Sequence, residues 1–223
     1  MPGLDRPKTL TVAVVDHIRD AVLRGELASG QQLREVPLSQ TLETSRGTVR
    51  EALRALQDEG LVKIFPHRGA VVTELSSSRV GEIFDLRALL EPHAVALALA
   101  DGPLDADALR AIRAAFDALC EAVRNEDDFE VIHADMDFHG ALAAPCGHEL
   151  LLEHLGALRL QTRQAIFYTK LYASDREGEA EAHAPIIEAV AAGDPGRAAD
   201  VVRDHIVRAG EQLLAHMEGS KGR

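Results

Sequence analysis

The fold of this chain is decided by residues 33–62, which read LREVPLSQTLETSRGTVREALRALQDEGLV. The pattern predicts a short helix over about 36–42, followed by a very short turn. A longer helix then begins with a capping residue, Thr44 or Ser45, and runs to about Glu59. Two helices joined by so short a turn are typical of a helix-turn-helix unit.

The segments on either side extend this unit. Apolar residues recur at helical spacing between about Lys8 and Arg24, which predicts a preceding helix. The run LVKIFPHRGAVVT contains two short β-type segments around PHRG at 66–69, a sequence typical of a hairpin. Residues 1–75 are therefore predicted to form a winged helix-turn-helix domain of three helices and a hairpin.

Residues 76–223 are predicted to form a second, all-helical domain that begins at the serine run 76–78. Six helical segments are predicted, with breaks at Gly102-Pro103, Pro145, Gly147 and residues 193–196, and six helices on one core form an antiparallel bundle. The predicted helices span 79–100, 105–125, 128–144, 148–173, 176–192 and 195–217. The fold class is therefore mainly α with one small β-hairpin.

Composition and charge support this division. Aromatic residues make up only 4% of the chain and tryptophan is absent, which favours helix bundles over sheets. The net charge is −12, but the first 75 residues are electrically balanced and the acidic excess lies in the second domain. Since acidic surfaces repel DNA, any DNA contact is expected from the first domain. We expect a cytoplasmic protein, because no long apolar run or signal-peptide pattern appears.

The longer helix carries a candidate DNA-reading surface. Arg46, Arg50 and Arg54 are spaced by four and share one face, with Thr48 near the helix start. Such a helix places its N-terminal residues in the major groove, where arginine pairs with guanine. Arginines at this spacing also occur on ordinary solvated faces, and the surrounding winged-helix pattern favours the DNA-binding interpretation. Lys63 and Arg68 on the hairpin are expected to contact phosphates.

Four residues of the second domain form a candidate metal site. Asp135 and His139 lie one turn apart, and His139, His183 and His205 each fall on an apolar helix face. If the faces converge, three imidazoles and one carboxylate suit a divalent transition metal such as Zn, with Ni or Mn as alternatives. The other interpretation is that each is a separate, hydrogen-bonded core residue.

The first domain resembles that of the GntR family of bacterial regulators over about residues 10–73, through the quoted segment and the following PHRGAVV. The resemblance implies that Ser45, Arg46, Thr48 and Arg50 read the operator and that Gly69 forms the wing tip. Arg34 and Arg68 complete the predicted DNA-binding set. The chain departs from the family at Glu43, where glycine is usual, at Gly47, where proline or threonine is usual, and at Val36, where arginine is common.

Residues 79–217 resemble the FCD ligand-binding domain of the FadR-like subgroup of that family. The matching motifs are R-x-x-L-E at 87–91, D-x-x-F-H at 135–139, HAPI at 183–186 and DHI at 204–206. In metal-binding members, one Asp and three His at these places hold the metal. The resemblance also implies a small organic acid as effector. Arg87 is then a candidate clamp for its carboxylate, with Arg159 and Arg163 as alternatives. An internal ion pair is the other interpretation of Arg87.

These observations predict a homodimeric, DNA-binding repressor whose operator affinity is controlled by an organic acid at a metal site. A regulator that senses the metal itself is one alternative, and a metal-dependent hydrolase is another. An enzyme is not expected, because no nucleophile elbow, phosphate-binding loop or general base accompanies the candidate metal ligands.

Overall fold

Two compact units make up the chain, Met1–Leu75 and Ser76–Arg223. The computed structural model describes residues 9–65, 69–169 and 176–220. Within these ranges the structure is mainly helical and contains one small antiparallel sheet, as the sequence predicts.

The N-terminal unit combines three helices with a three-stranded sheet. Its elements are α1 (Leu10–Leu23), β1 (Gln32–Leu33), α2 (Glu35–Thr41), α3 (Arg46–Asp58), β2 (Val62–Phe65) and β3 (Gly69–Val72). The strand order is β1-β3-β2, all antiparallel. The predicted hairpin pairs Val62 with Val72 and Phe65 with Gly69. Arg68 lies outside the described residues. Strand β1 was not predicted, because two residues are too few to show an alternating pattern.

Helix α3 is fixed at its start by a cap and along its length by the core. The Ser45 hydroxyl accepts a hydrogen bond from the Thr48 backbone N–H at 3.0 Å, which satisfies one of the free donors of the first turn. Four apolar residues of one face are fully buried: Val49, Ala52, Leu53 and Leu56. The opposite face, which carries the arginines, is consequently left to solvent.

The C-terminal unit consists of helices, and their bounds agree with the predicted ones to within three residues where the structure describes them. They are α4 (Ser77–Ala98), α5 (Ala106–Arg124), α6 (Asp128–Ala143), α7 (Glu149–Thr169), α8 (Arg176–Ala192) and α9 (Pro195–Ser220), with a short 3₁₀ turn at Ala144–Cys146. No helix in the described ranges is long and apolar enough to cross a bilayer.

Helices α4 and α9 pack closely because Gly210 of α9 faces Phe84 of α4. A Cβ placed on Gly210 would lie 2.9 Å from the Cβ of Phe84, closer than side chains normally approach. Val80, Ile83 and Val202 are fully buried on these helices. Helix α4 also contacts α6, so its inner face lies against the histidine-bearing helices α6 and α9.

Candidate functional site

The four predicted metal ligands lie together in the core of the C-terminal unit. Helix α6 supplies Asp135 and His139, α8 supplies His183 and α9 supplies His205, and all four side chains are buried. The candidate donor nitrogens of the three histidines lie within 4.8 Å of one another. The Asp135 Oδ1 atom lies 2.9 Å from His183 Nε2 and 3.6 Å from His139 Nε2. The structure therefore brings one carboxylate and three imidazoles to one point.

Two groups of this cluster, His205 and Asp135, have pKa shifts that favour the forms in which they bind metals. Burial lowers the pKa of His205 well below its usual value, and His183 and His139 lower it further, so its ring is neutral at neutral pH. Burial opposes ionisation of Asp135. The hydrogen bond and charge of His183, together with the charges of His139 and Arg87, outweigh that effect and hold its pKa well below the usual range. A neutral imidazole and an ionised carboxylate are the forms that coordinate metals.

Glu91 is a member of the site that sequence reasoning did not identify. Its Oε2 atom lies 2.7 Å from His139 Nδ1, and its Oε1 atom accepts a hydrogen bond from Arg87 Nε at 2.6 Å. Burial would raise the pKa of Glu91, but the charges of Arg87 and His139 and their hydrogen bonds lower it to about 2. Metal-binding histidines commonly donate their second ring N–H to a carboxylate in this way. The only sequence signal was the pairing of Arg87 and Glu91 one turn apart.

This donor set fits a divalent transition metal. Three imidazoles and a carboxylate in one buried cluster are costly to desolvate without strong partners, and coordination would supply them. His139 turns its Nδ1 atom to Glu91 and its Nε2 atom towards Asp135, which leaves Nε2 as the atom available for coordination.

A small cavity adjoins the cluster, and we call it the inner cavity. Its polar lining consists of Arg87, Asp135, His139, His205 and Gln212, and its volume of about 10 Å³ is room for roughly one water molecule. Arg87 is held by Glu91, so the ion-pair alternative considered for it is present in the structure. Its guanidinium nevertheless lines the cavity that the candidate ligands share.

In the N-terminal unit, the predicted reading residues lie at the start of α3 and along one of its faces. Ser45 is the helix cap, and its hydroxyl lies 2.8 Å from the Thr48 hydroxyl. Arg46, Arg50 and Arg54 are exposed. Ser45 is therefore engaged in capping, whereas the arginine side chains project from the surface.

Arg50 makes a two-pronged ion pair that the sequence did not reveal. Its Nε and Nη2 atoms donate to the two carboxylate oxygens of Glu35, at 2.8 and 2.7 Å. The hydrogen bond from Arg50 lowers the pKa of Glu35, and the nearby charges of Arg50, Arg46 and Arg54 contribute to the same shift. All three arginines thus lie close to the start of α2.

The remaining predicted DNA-contacting residues lie around α2 and the hairpin. Arg34 occupies the N-cap position of α2. Its side chain is exposed, and its Nε atom donates a hydrogen bond to Gln32 Oε1 at 3.1 Å. Gly69 begins β3 with φ +82°, a conformation that other residues rarely adopt. Lys63 is exposed on β2.

Comparison with known proteins identifies both units. The model described as bacterial regulatory proteins of the gntR family matches residues 10–72, and the FCD domain model matches residues 82–208. The regulator LutR of Bacillus subtilis is 30% identical over 219 residues, covering 88% of this chain and 98% of its own. The repressor GlaR of Escherichia coli is 29% identical over 198 residues, covering 85% and 89%.

A solved structure of a GntR regulator from Rhodococcus sp. RHA1 has a TM-score of 0.78 and 26% identity, covering 92% of this chain and 97% of that one. These relatives are regulators rather than enzymes, and the winged helix-turn-helix is the DNA-binding part of the chain. The chain therefore belongs to the GntR family of DNA-binding transcriptional regulators, with an FCD domain as its C-terminal half.

Proposed function

We propose that this regulator is a repressor whose operator affinity is controlled by a small organic acid bound at a metal site in its C-terminal unit. The observation that carries the proposal is the buried cluster of Asp135, His139, His183 and His205, with Glu91 behind His139. The curated relatives from Escherichia coli and Paenarthrobacter nicotinovorans are named as repressors, which supports repression rather than activation.

Operator recognition is assigned to the exposed face of α3. Arg46 and Thr48 lie at its start, where a recognition helix meets base edges in the major groove. Arg50 is exposed and pairs with Glu35, and we expect a phosphate or a guanine edge to compete with that carboxylate when DNA binds. Four further residues complete the proposed contact set: Arg34, Ser45, Arg68 and Gly69.

The proposed metal is zinc, with nickel or manganese as alternatives. His139, His183, His205 and Asp135 would hold it, and the bound metal would supply a positive centre that attracts a carboxylate oxygen. Glu91 fixes the orientation of His139. Arg87, on the wall of the inner cavity, is the proposed second clamp for the acid.

The size of the inner cavity suggests how the acid controls the protein. The cavity is large enough for one water molecule but not for an organic acid. Binding therefore requires its apolar lining, which includes Phe84, Ile166 and Leu213, to move apart. An acid that binds only the widened state shifts the population towards that state, and this difference in affinity is what regulation requires.

A homodimer is the proposed assembly. One winged domain has a small DNA footprint, and helix-turn-helix regulators commonly place two copies on a two-fold operator. Helix α4 exposes three leucines along one stripe, with Leu86 45%, Leu89 69% and Leu97 36% exposed. We propose that a second copy of the chain covers this stripe, because contiguous exposed apolar surface marks interaction sites.

Metal content tests the site directly. The full chain, purified without chelator or histidine tag, is expected to hold about one equivalent of a transition metal by elemental analysis. His139→Ala should lose it, while His154→Ala, a change at an exposed histidine bonded to the Leu150 carbonyl, should retain it. A wild-type protein that stays metal-free after reloading would contradict the proposal and leave the DNA-binding assignment intact.

A regulator that responds to the metal alone is the second candidate, favoured by the small volume of the inner cavity. It would show operator binding that follows zinc concentration in the absence of any acid.

A further inference from the structure

A second cavity, which we call the outer cavity, lies on the other side of His139. Its polar wall is formed by Glu91, His139 and Arg159, and its volume is about 190 Å³. By the same measure one water molecule needs roughly 10–15 Å³, so the outer cavity can hold a small organic molecule where the inner cavity cannot. Its remaining wall is apolar and consists of Ala143, Ala144, Leu152 and Leu155.

A glycine of α6 makes room for the Arg159 guanidinium. Gly140 lies directly beneath the guanidinium, and a Cβ at this position would overlap Arg159 Nη1. Glycine within a helix is less stable than alanine, so its presence at position 140 calls for an explanation. The explanation is that any side chain there would occupy the space of the Arg159 guanidinium.

Arg159 has no counter-ion among the residues that the structure describes. Its side chain is half-buried, and its guanidinium makes no hydrogen bond or ion pair within that part of the chain. Glu91, on the same wall, is already neutralised by Arg87 and contacts His139. An anion entering the outer cavity would therefore meet the uncompensated charge of Arg159.

We propose that the outer cavity is a binding site for a small monocarboxylate with a short apolar chain. The carboxylate pairs with Arg159, whose planar guanidinium suits two-pronged binding. The chain lies against the alanine and leucine side chains of the opposite wall. This site is separate from the metal centre of the proposed function, although both share His139 and are connected through Glu91.

Isothermal titration calorimetry of the full-length, zinc-loaded protein with butyrate tests the proposal. Wild-type protein is expected to bind butyrate saturably. It is expected to show no binding of butyramide, which has the same shape as butyrate but carries no charge. Arg159→Met should weaken binding at least tenfold. Arg163→Met, a matched change one turn further along α7 at a side chain stacked on Phe129, should not.

Gly140→Ala provides a second test that keeps the positive charge. Its methyl group would displace the guanidinium from the glycine face, so butyrate affinity is expected to fall. Metal content and thermal unfolding are measured for each variant, so that loss of zinc or of folding is recognised.

His205→Ala separates this proposal from the metal-site proposal, because His205 lines only the inner cavity. Butyrate binding that persists in this variant supports a separate site. Loss of binding in His205→Ala with normal binding in Arg159→Met would place the acid on the metal centre and overturn the outer site. Failure of wild-type protein to bind butyrate would also overturn it, while the metal content would still test the proposed function.

Discussion

Arg46→Ala should weaken binding to the cognate operator by about 1–3 kcal/mol and reduce base preference, because a two-pronged arginine–guanine contact is lost. Fluorescence anisotropy on an operator selected by the wild-type protein, compared with random DNA, measures both effects. Arg113→Ala, at an exposed position of α5, serves as the control. Equal losses on both DNAs would show that Arg46 contacts only phosphate.

Single residues at the two candidate sites differ in what the sequence reveals about them. His139, His183 and His205 could be selected from the sequence because each interrupts an apolar helix face, and burial follows from that pattern. Glu91 could not be selected, because its partner His139 lies on another helix far along the chain. The pairing of Arg50 with Glu35 was missed for the same reason, since it depends on how α2 packs against α3.

Glu43→Gly should stabilise the N-terminal unit by up to about 1 kcal/mol. Glu43 has φ +47°, a left-handed conformation that costs non-glycine residues free energy. Hydrogen exchange of α3 amides in the full chain reports the stability of this unit. Glu51→Gly, on the exposed face inside α3, should instead destabilise it by about 1 kcal/mol. Slower exchange in the second variant than in the first would contradict the backbone-strain explanation.

At the scale of elements, hydrophobic periodicity predicts helices well and short strands poorly. The six described helices of the C-terminal unit were predictable because each is long, and glycine or proline marks several of the breaks between them. Strand β1 has two residues and exists because β3 offers it a partner, with Leu33 opposite Ala70. Sequence periodicity gave no indication of the leucine stripe on α4 as a surface, because leucines on a helix normally signal a core face.

Leu89→Asp should convert the proposed dimer to monomers, because it places a charge at the most exposed leucine of the α4 stripe. Sedimentation velocity at micromolar protein measures the change. Leu150→Asp, at an isolated leucine that is 60% exposed on α7, is the matched control and should leave the assembly unchanged. A Leu89→Asp protein that sediments as a dimer would place the interface elsewhere.

At the scale of the whole molecule, the winged helix-turn-helix and the FCD domain lie in separate compact units of the chain. The acidic excess lies in the C-terminal unit, so the electrically balanced N-terminal unit is the part suited to approach DNA. The C-terminal unit holds the buried cluster of candidate metal ligands and both cavities. The sequence predicted this separation, but the cavity volumes depend on side-chain packing that no periodicity encodes.

Operator affinity, measured with and without zinc and acid, tests the account most directly. The dissociation constant of the zinc-loaded protein for its selected operator would be determined alone and with acetate, lactate, malate or citrate. EDTA-treated protein and His183→Ala would be measured in parallel. We expect at least one acid to change the dissociation constant tenfold or more in the zinc-loaded protein, with little effect in the other two. A dissociation constant that no acid changes in any form of the protein would contradict the account.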